Sequence, residues 1–227
     1  MCTAKTILTF KVIAFLVFFL CSQSLTAQQP QKNSKDEVVI GAKTWMRRNL
    51  DTDKFRNGDP IPEATSAEAW QQAGAEGKPA WCYYDNDPAN GKLYGKLYNW
   101  FAVNDPRGLA PEGWHVATEE EWMALESRYK ATSGMALKSR TGWEGKVPSN
   151  NKSGFTALPG GDRVIDGSFH GKGKVGSWWT STRNTSFESW DFYLNYRNGY
   201  LDKDFNSNEN GFAVRCVKDP VPAPPKQ

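Results

Sequence analysis

The stretch GWHVATEEEW, residues 113–122, joins a short apolar segment to three consecutive glutamates. Thr118 lies three residues before Glu121, the spacing of a capping box, in which each side chain accepts a hydrogen bond from the other residue's backbone N–H. Glutamates in a first helical turn are also stabilised by the helix dipole. The stretch therefore predicts a strand over WHV and a helix over about residues 119–130. On this interpretation His115 is a structural residue and not part of a reaction centre.

The rest of the chain predicts short strands, two further short helices and long loops. Alternating apolar residues bounded by turn signals predict strands within 37–50 (a hairpin), 80–84, 177–182, 190–196, 200–205 and 210–217. Thr65 with Glu68 predicts a capped helix over about 66–73, and the apolar spacing of 97–103 favours another helix. Loops are expected over 85–91, 104–113 and 134–176. Because strands and helices do not alternate regularly, we expect an α+β fold of antiparallel strands.

The two ends of the chain differ in composition from its middle. Residues 1–27 combine two lysines, the apolar run VIAFLVFFL and a small final residue, which predicts a secretory signal peptide. The run is too short to span a bilayer, and the large Leu20 before Cys21 argues against a lipid anchor. We then expect a flexible spacer over 28–37, one domain over 38–219 and a Pro-rich disordered tail over 220–227. The protein is therefore predicted to be exported, to the periplasm, the cell surface or the medium.

Charge and composition exclude some classes of partner. The chain has 28 basic and 25 acidic residues, and loss of the leader with its two lysines leaves it nearly neutral. Such a chain has no strong electrostatic attraction to nucleic acid or to anionic membranes, so we expect neither as a partner. Ten tryptophans nevertheless provide ample aromatic surface for a core.

Two cysteines remain once the leader, with Cys2 and Cys21, is removed. In an exported protein a pair of cysteines predicts one disulfide, here between Cys82 and Cys216. Closing a loop of about 134 residues would stabilise the fold by about 5 kcal/mol. A reactive thiol pair is the alternative.

Motifs for catalysis are absent or lie in the wrong context. His115 and His170 are the only histidines and no H-E-x-x-H occurs, so we expect no catalytic residue, no metal ligand and no bound cofactor. The G-x-G-x-x-G over 171–176 leads into a strand and not a helix, which indicates a turn-rich loop. No G-x-S-x-G marks a serine as a nucleophile.

Oxygen-rich segments leave calcium open as an alternative. They consist of Asp85, Asp87 and Asn90, and of Asn206, Asn208, Glu209 and Asn210. Calcium prefers hard oxygen ligands of this kind. The first segment lacks the glycine and the distal glutamate of an EF-hand, and both compositions are also typical of ordinary turns.

The tryptophans suggest sugar binding, because aromatic faces stack on sugar rings, but most fit a core better. Those on apolar faces are Trp45, Trp100, Trp114, Trp122 and Trp190. Trp81, Trp143 and one of Trp178 and Trp179 are expected to be freer, since neighbouring residues of a strand point to opposite faces.

Several ordered motifs resemble one known family. They are YGKLYNWFAVND (94–105), PEGWHVATEEEW (111–122), SGFTALPGGDR (153–163), WWTST (178–182) and GFAVRCVKD (211–219). Together they resemble the Fibrobacter succinogenes major paralogous domain, found in exported and lipid-anchored proteins of Bacteroidetes-like bacteria, over about residues 38–219. Ala117 departs from the family, which usually has proline there, and this change should loosen the turn before the helix.

The resemblance implies a fold more clearly than an activity. It implies a C-type-lectin-like fold, similar in layout to the formylglycine-generating enzymes, but it supplies no catalytic residues. We therefore expect a non-catalytic binding module at the cell surface or in the periplasm, which recognises a glycan or a protein through loops on a rigid scaffold. The alternatives are a formylglycine-generating-type oxidase, another exported enzyme such as a hydrolase, and a structural surface or adhesion component.

Overall fold

The computed structural model describes residues 36–145 and 149–220. The predicted signal peptide, most of the spacer and the tail after Pro220 lie outside these residues. The strands are β1 (Glu37–Ile40), β2 (Lys43–Met46), β3 (Trp81–Cys82), β4 (Leu97–Tyr98), β5 (Trp114–Val116), β6 (Asp162–Arg163), β7 (Phe169–His170), β8 (Val175–Arg183), β9 (Glu188–Asn195), β10 (Leu201–Ser207), β11 (Ala213–Val214) and β12 (Cys216–Lys218). The α-helices are α1 (Ala67–Ala75), α2 (Pro88–Tyr94), α3 (Trp100–Val103), α4 (Glu119–Tyr129) and α5 (Ser133–Leu137).

Two four-stranded sheets form the framework. Their strand orders are β1-β2-β12-β5 and β10-β9-β8-β11, and the pairs β3-β4 and β6-β7 lie beside them. Among the described residues every strand pair is antiparallel except β11 with β8, where Ala213 lies opposite Trp178 and Val214 opposite Trp179. The predicted α+β class is therefore confirmed, with one parallel pair that the sequence did not indicate.

That parallel pair arises because the segment predicted as a single strand over 210–217 is divided between the two sheets. β11 joins β8 in one sheet, and β12 joins β2 and β5 in the other. Arg215 lies between the two strands at the point where the chain crosses, and only 1% of its surface is exposed. The GFAVRCV segment thus connects the two sheets.

Helix α4 begins as the sequence predicts. Thr118 Oγ1 accepts a hydrogen bond from the Glu121 backbone N–H at 3.2 Å, and Glu121 Oε2 accepts one from the Thr118 N–H at 3.1 Å. Just before this capping box, the Ala117 N–H donates to the Arg215 carbonyl at 3.0 Å. A proline at this position could not donate that bond, so the backbone here gains an anchor to the Arg215 segment.

We expect the capping box to contribute to the stability of the fold. We expect Thr118→Ala to lower the free energy of unfolding by about 1 kcal/mol, because one helix-terminal N–H loses its acceptor. Urea titration followed by circular dichroism measures this change. Ser127→Ala, at an exposed position of the same helix, is the control and should change stability by no more than about 0.5 kcal/mol. Equal effects of the two changes would contradict the capping role.

Helix starts elsewhere differ from the predictions in detail. Helix α1 is capped by Ser66, whose hydroxyl accepts from the Ala69 N–H, and not by Thr65. Helix α2 lies mostly within the segment predicted as a loop over 85–91. It begins because Asp87 caps it and Pro88 occupies the first helical position, where its missing N–H costs nothing. The segment 97–103 is not one helix, since β4 occupies its start and the Asn99-capped α3 its end.

Two aromatic core clusters lie on opposite faces of β8. Trp178 belongs to the first core cluster, with Trp122 and Phe192, whereas Trp179 packs in the second core cluster against Phe212 at 4.3 Å between ring centroids. Both indoles are fully buried. The prediction that one of the pair would be free for sugar stacking is therefore wrong, because β8 is covered on both faces. Trp81 is buried as well, which leaves Trp143 partly buried against the first cluster.

The cysteines do not form the disulfide that the sequence predicted. Cys82 and Cys216 are free thiols, both with no exposed surface, so the predicted disulfide is not formed. Cys216 lies in the second core cluster, and Cys82 lies in a smaller third cluster with Trp70 and Leu97. Each cysteine acts as a small apolar residue in its own part of the core.

Candidate functional site

His115 and Glu121, both from the stretch GWHVATEEEW, contact each other. Glu121 Oε2 lies 2.9 Å from His115 Nε2, and Asp219 Oδ1 lies 2.7 Å from His115 Nδ1. Lys43 Nζ donates to Glu121 Oε1 at 2.8 Å. Burial alone would raise the pKa of Glu121, but the hydrogen bonds from Lys43, the Thr118 backbone and His115 outweigh it and lower that pKa.

His115 links these side chains into one hydrogen-bonded network. Both nitrogens of the imidazole contact carboxylates, so His115 has no free nitrogen with which to bind a metal ion. The network joins β2, β5, the start of α4 and the residue after β12. The sequence predicts that Glu121 belongs to the helix cap. In the structure the same carboxylate also contacts His115 Nε2.

A more distinctive site lies against the β10-β9-β8-β11 sheet. We call it the sheet cleft: a cavity of about 210 Å³ with polar side chains from Asp162, Ser177, Asp191, Tyr193, Asn195, Asn206 and Asn210. Val164, Val175 and Phe212 add apolar surface to its walls. The volume far exceeds the roughly 30 Å³ that one water occupies in the liquid. The cleft therefore has space for a small ligand group.

Strand alternation explains which residues face the sheet cleft. On β9, Asp191 and Tyr193 point to this side, whereas Phe192 points into the first core cluster. Asp191 lies opposite Trp179 of β8, and Trp179 is in the second core cluster. A carboxylate is thus placed beside a buried indole, and only 1% of Asp191 remains exposed.

Hydrogen bonds support Asp191 from one side only. The Asn206 amide donates to Asp191 Oδ1 at 2.8 Å, and the Asn210 amide donates to Asn206 Oδ1 at 3.4 Å. No described residue forms a salt bridge with Asp191 or with Asp162, which faces the same cleft from β6. The cleft is therefore built around two carboxyl groups that lack a cationic partner within the described part of the chain.

The two carboxyl groups titrate well above their ordinary range. Burial raises the pKa of Asp191 to about 7, and the neighbouring charges of Asp204 and Asp162 add to the effect of burial. Burial raises the pKa of Asp162 to about 6, against a smaller opposite effect from His170. Carboxyl groups whose pKa is strongly shifted by burial in a cleft are frequent at functional sites, which makes the sheet cleft a candidate site.

The oxygen-rich segments predicted from the sequence have different roles. Asp87 caps α2, the Asn90 amide donates to the Tyr84 carbonyl, and Asp85 faces Lys172 at 3.4 Å, so this first segment forms a turn and a helix start. In the second segment, Asn206 and Asn210 line the sheet cleft. Within residues 36–145 and 149–220, no group of three or more His, Cys, Asp or Glu side chains is arranged to hold a metal ion.

The thiols do not form a reactive pair. Burial raises the pKa of Cys82 and of Cys216 to about 12, so neither is a thiolate near neutral pH. The thiolate is the form that attacks or binds metal. This environment gives no support to thiol-based oxidase chemistry at these positions.

The fold and the sheet cleft together define an α+β domain with a polar cavity against one of its sheets. A family model, the Fibrobacter succinogenes major domain, matches residues 38–218, and the chain belongs to that family. No curated protein and no solved structure shows significant similarity to the chain. Among the described residues, no helix has the length and apolar character needed to cross a membrane.

Proposed function

We propose that this protein is an exported, non-catalytic binding module that holds a hydroxyl-rich ligand, a glycan, in the sheet cleft. The observation that carries the proposal is the pair Asp162 and Asp191, which face one cavity without a cationic partner among the described residues. Buried carboxyl groups in that state gain most from a ligand that brings its own hydrogen-bond donors. The signal-peptide pattern in residues 1–27 supports export, which would bring the protein into contact with glycans.

The composition of the sheet cleft supports a sugar in particular. Sugar hydroxyls both donate and accept hydrogen bonds, and the cleft presents acceptors on the aspartates beside amide groups on Asn206 and Asn210. Phe212 and the ring of Tyr193 offer apolar surface for the C–H groups of a sugar. Small-ligand sites commonly combine apolar walls with a few convergent polar groups in this way.

The test is a glycan array probed with the labelled protein, followed by titration calorimetry on the best ligand. At pH 8, where Asp191 is ionised, we expect Asp191→Asn to weaken binding by about tenfold or more, because a charged hydrogen-bond acceptor is lost from a buried site. Asp204→Asn is the matched control: it makes the same charge change on an exposed residue directly opposite Asp191 on β10. Absence of any glycan ligand, or equal losses in the two variants, would contradict the proposal.

A hydrolase is the second candidate, and the same carboxyl groups favour it. A carboxyl group with a pKa of about 6 to 7, as in Asp162 and Asp191, can act as a general acid near neutral pH. Incubating the identified glycan with the protein and assaying for new reducing ends separates the two functions. Release of reducing ends that Asp191→Asn abolishes would establish a hydrolase and contradict a purely binding role.

A further inference from the structure

A second cavity, larger than the sheet cleft, is lined by side chains of the opposite charge. It has a volume of about 350 Å³, and basic side chains line it from separate segments: Arg47 and Arg48 after β2, Lys92 in α2 and Arg215 between β11 and β12. We call it the basic cavity. Asp36 is the one acidic residue in its lining.

Arg215 is buried where it lines the basic cavity, and it has no anionic partner among the described residues. Its guanidinium donates to Asn49 Oδ1 at 2.6 Å and to the carbonyls of Met46 and Phe155 at 2.8 and 3.0 Å. The remaining hydrogen bond, from Nη2 to the Thr156 carbonyl, is long at 3.4 Å. A guanidinium has five N–H groups, so these four bonds leave one N–H of Nη2 without an acceptor among the described residues.

The neighbouring charges do not compensate Arg215. Within the described chain, Arg47 and Lys92 form no salt bridge, and Arg48 forms one only with Asp36, at 3.5 Å. Both members of that pair are largely exposed, at 81% and 72%, so the pair is weak. The lining of the basic cavity therefore carries four positive charges and one negative charge.

A purely structural role accounts for only part of this arrangement. Carbonyl oxygens satisfy most N–H groups of Arg215, and this explains how the side chain joins β2 to the segment at Phe155 and Thr156. Neutral carbonyls do not neutralise the buried charge, however, and burial lowers the pKa of Arg215 to about 9. Nor does that role explain why three further basic side chains lie around the same cavity. An anion in the cavity would neutralise the buried charge, accept the free N–H and pair with the outer basic residues.

We propose that the basic cavity is a second binding site, separate from the sheet cleft, which takes a small ligand through an oxyanion group: a carboxylate, a sulfate or a phosphate. Arg215 at the buried side would donate to one oxygen of that group. Arg47, Arg48 and Lys92 would supply positive charge at the exposed side. Since the residues of the basic cavity do not line the sheet cleft, this site does not depend on the function proposed above.

The test uses the full chain with three probes at constant ionic strength: inorganic phosphate, inorganic sulfate and glucuronate, with glucose as the uncharged control. Binding is followed by titration calorimetry and by NMR shifts of the arginine side chains. We expect saturable binding of at least one oxyanion, with a shift of the Arg215 Nε–H signal. Which probes bind identifies the source of the anion, since a carboxylate and a sulfate or phosphate ester are tested separately.

Variants at the exposed side of the cavity avoid disturbing the fold. We expect the double variant Arg47→Gln, Lys92→Gln to weaken oxyanion binding by about tenfold or more. The matched control is Lys54→Gln, Arg128→Gln, which removes the same charge from exposed residues outside the cavity. The proposal is overturned if none of the three oxyanions binds in the millimolar range, or if both double variants lose the same affinity.

Discussion

Replacing Trp122 by alanine is expected to lower the free energy of unfolding by about 3 to 5 kcal/mol, the range found when a fully buried large aromatic residue is removed. Trp122 has no exposed surface and lies at the centre of the first core cluster. It projects from the first turn of α4, which begins at Glu119, and packs against both four-stranded sheets. Its loss would therefore affect the contact that joins the helix to the sheets.

The ring geometry shows why the surrounding core cannot close over this gap. Trp122 stacks on Phe192 with 5.6 Å between ring centroids, and it meets Trp45 and Phe155 edge-on at 5.2 and 5.5 Å. These partners come from three separated segments and are themselves buried. Each is held by other neighbours, as Trp45 is by Phe155 at 5.6 Å. A cavity left by Trp122 would persist, and the cost of a cavity increases with its volume.

A second substitution separates packing from hydrogen bonding at the same position. The Trp122 indole N–H is buried and has no hydrogen-bond partner among the described residues. Trp122→Phe removes that unsatisfied donor and keeps a ring, so we expect it to cost clearly less than Trp122→Ala. Urea unfolding measures both changes, and Met123→Ala, at a position 40% exposed in the same helix, is the control. Equal losses for the phenylalanine and alanine variants would contradict this account.

Local signals in the sequence predicted the elements whose cause is itself local. The capping box of Thr118 and Glu121 predicted the start of α4, and the alternating segments 190–196 and 200–205 predicted β9 and β10. The prediction that Trp178 or Trp179 would be free was wrong because the burial of these residues has no local cause. Whether a strand is covered on one face or on both depends on segments far away in sequence, and alternation within β8 carries no information about that.

The residues of the sheet cleft likewise divide into those that the sequence indicated and those that only the structure shows. Asn206 and Asn210 stood out in the sequence because oxygen-rich segments are recognisable by composition. Asp191 lies in an alternating strand, where it resembles any solvent-facing polar residue, and Asp162 lies in a segment expected to be loop. Their burial comes from Trp179 and from the approach of β6 to β8, which are tertiary events. Only the structure could therefore show that these two carboxyl groups face one cavity.

Both proposed sites contain a buried charged group that the described chain does not neutralise. Asp191 in the sheet cleft and Arg215 in the basic cavity are each about 1% exposed. Burying an uncompensated charge destabilises a fold, and such groups are common where a protein gives up stability for function. If that explanation is correct, removing the charge should make the unliganded protein more stable. For Asp191 the effect can be measured through pH.

Stability is expected to fall as the pH rises from about 4 to about 7, and Asp191→Asn should remove most of that fall. The ordinary pKa of an aspartate is 3.8, whereas burial, with Asp204 and Asp162 nearby, raises that of Asp191 to about 7. Below 3.8 the group is protonated in both the folded and unfolded states, so it has no effect on the difference between them. Between the two values the folded state holds a proton that the unfolded state has released, so stability decreases until the pH passes about 7 and is then constant.

The size of the effect follows from the separation of the two pKa values. A raised pKa of this size corresponds to about 4 kcal/mol at pH 8. Asp162 has a pKa of about 6 and lies opposite His170. It should account for the loss of stability with rising pH that remains in Asp191→Asn. Glu121 has the opposite effect on the pH dependence of stability. Its pKa is lowered, so stability is also lost as the pH falls below 4.5. The clean window for the measurement is therefore between about pH 5 and pH 8.

The measurement is urea unfolding of the wild type, Asp191→Asn and Asp204→Asn at several pH values across that window. At pH 8 the Asp191→Asn protein should be the most stable of the three, and at pH 5 its advantage should be smallest. Asp204→Asn should stay close to the wild type, with a slightly smaller loss of stability, because Asp204 is exposed and its charge contributes less than burial to the raised pKa of Asp191. A wild-type stability that does not change between pH 5 and pH 8 would show that Asp191 is already ionised and compensated in the fold, and the sheet cleft would then lose the feature on which the binding proposal rests.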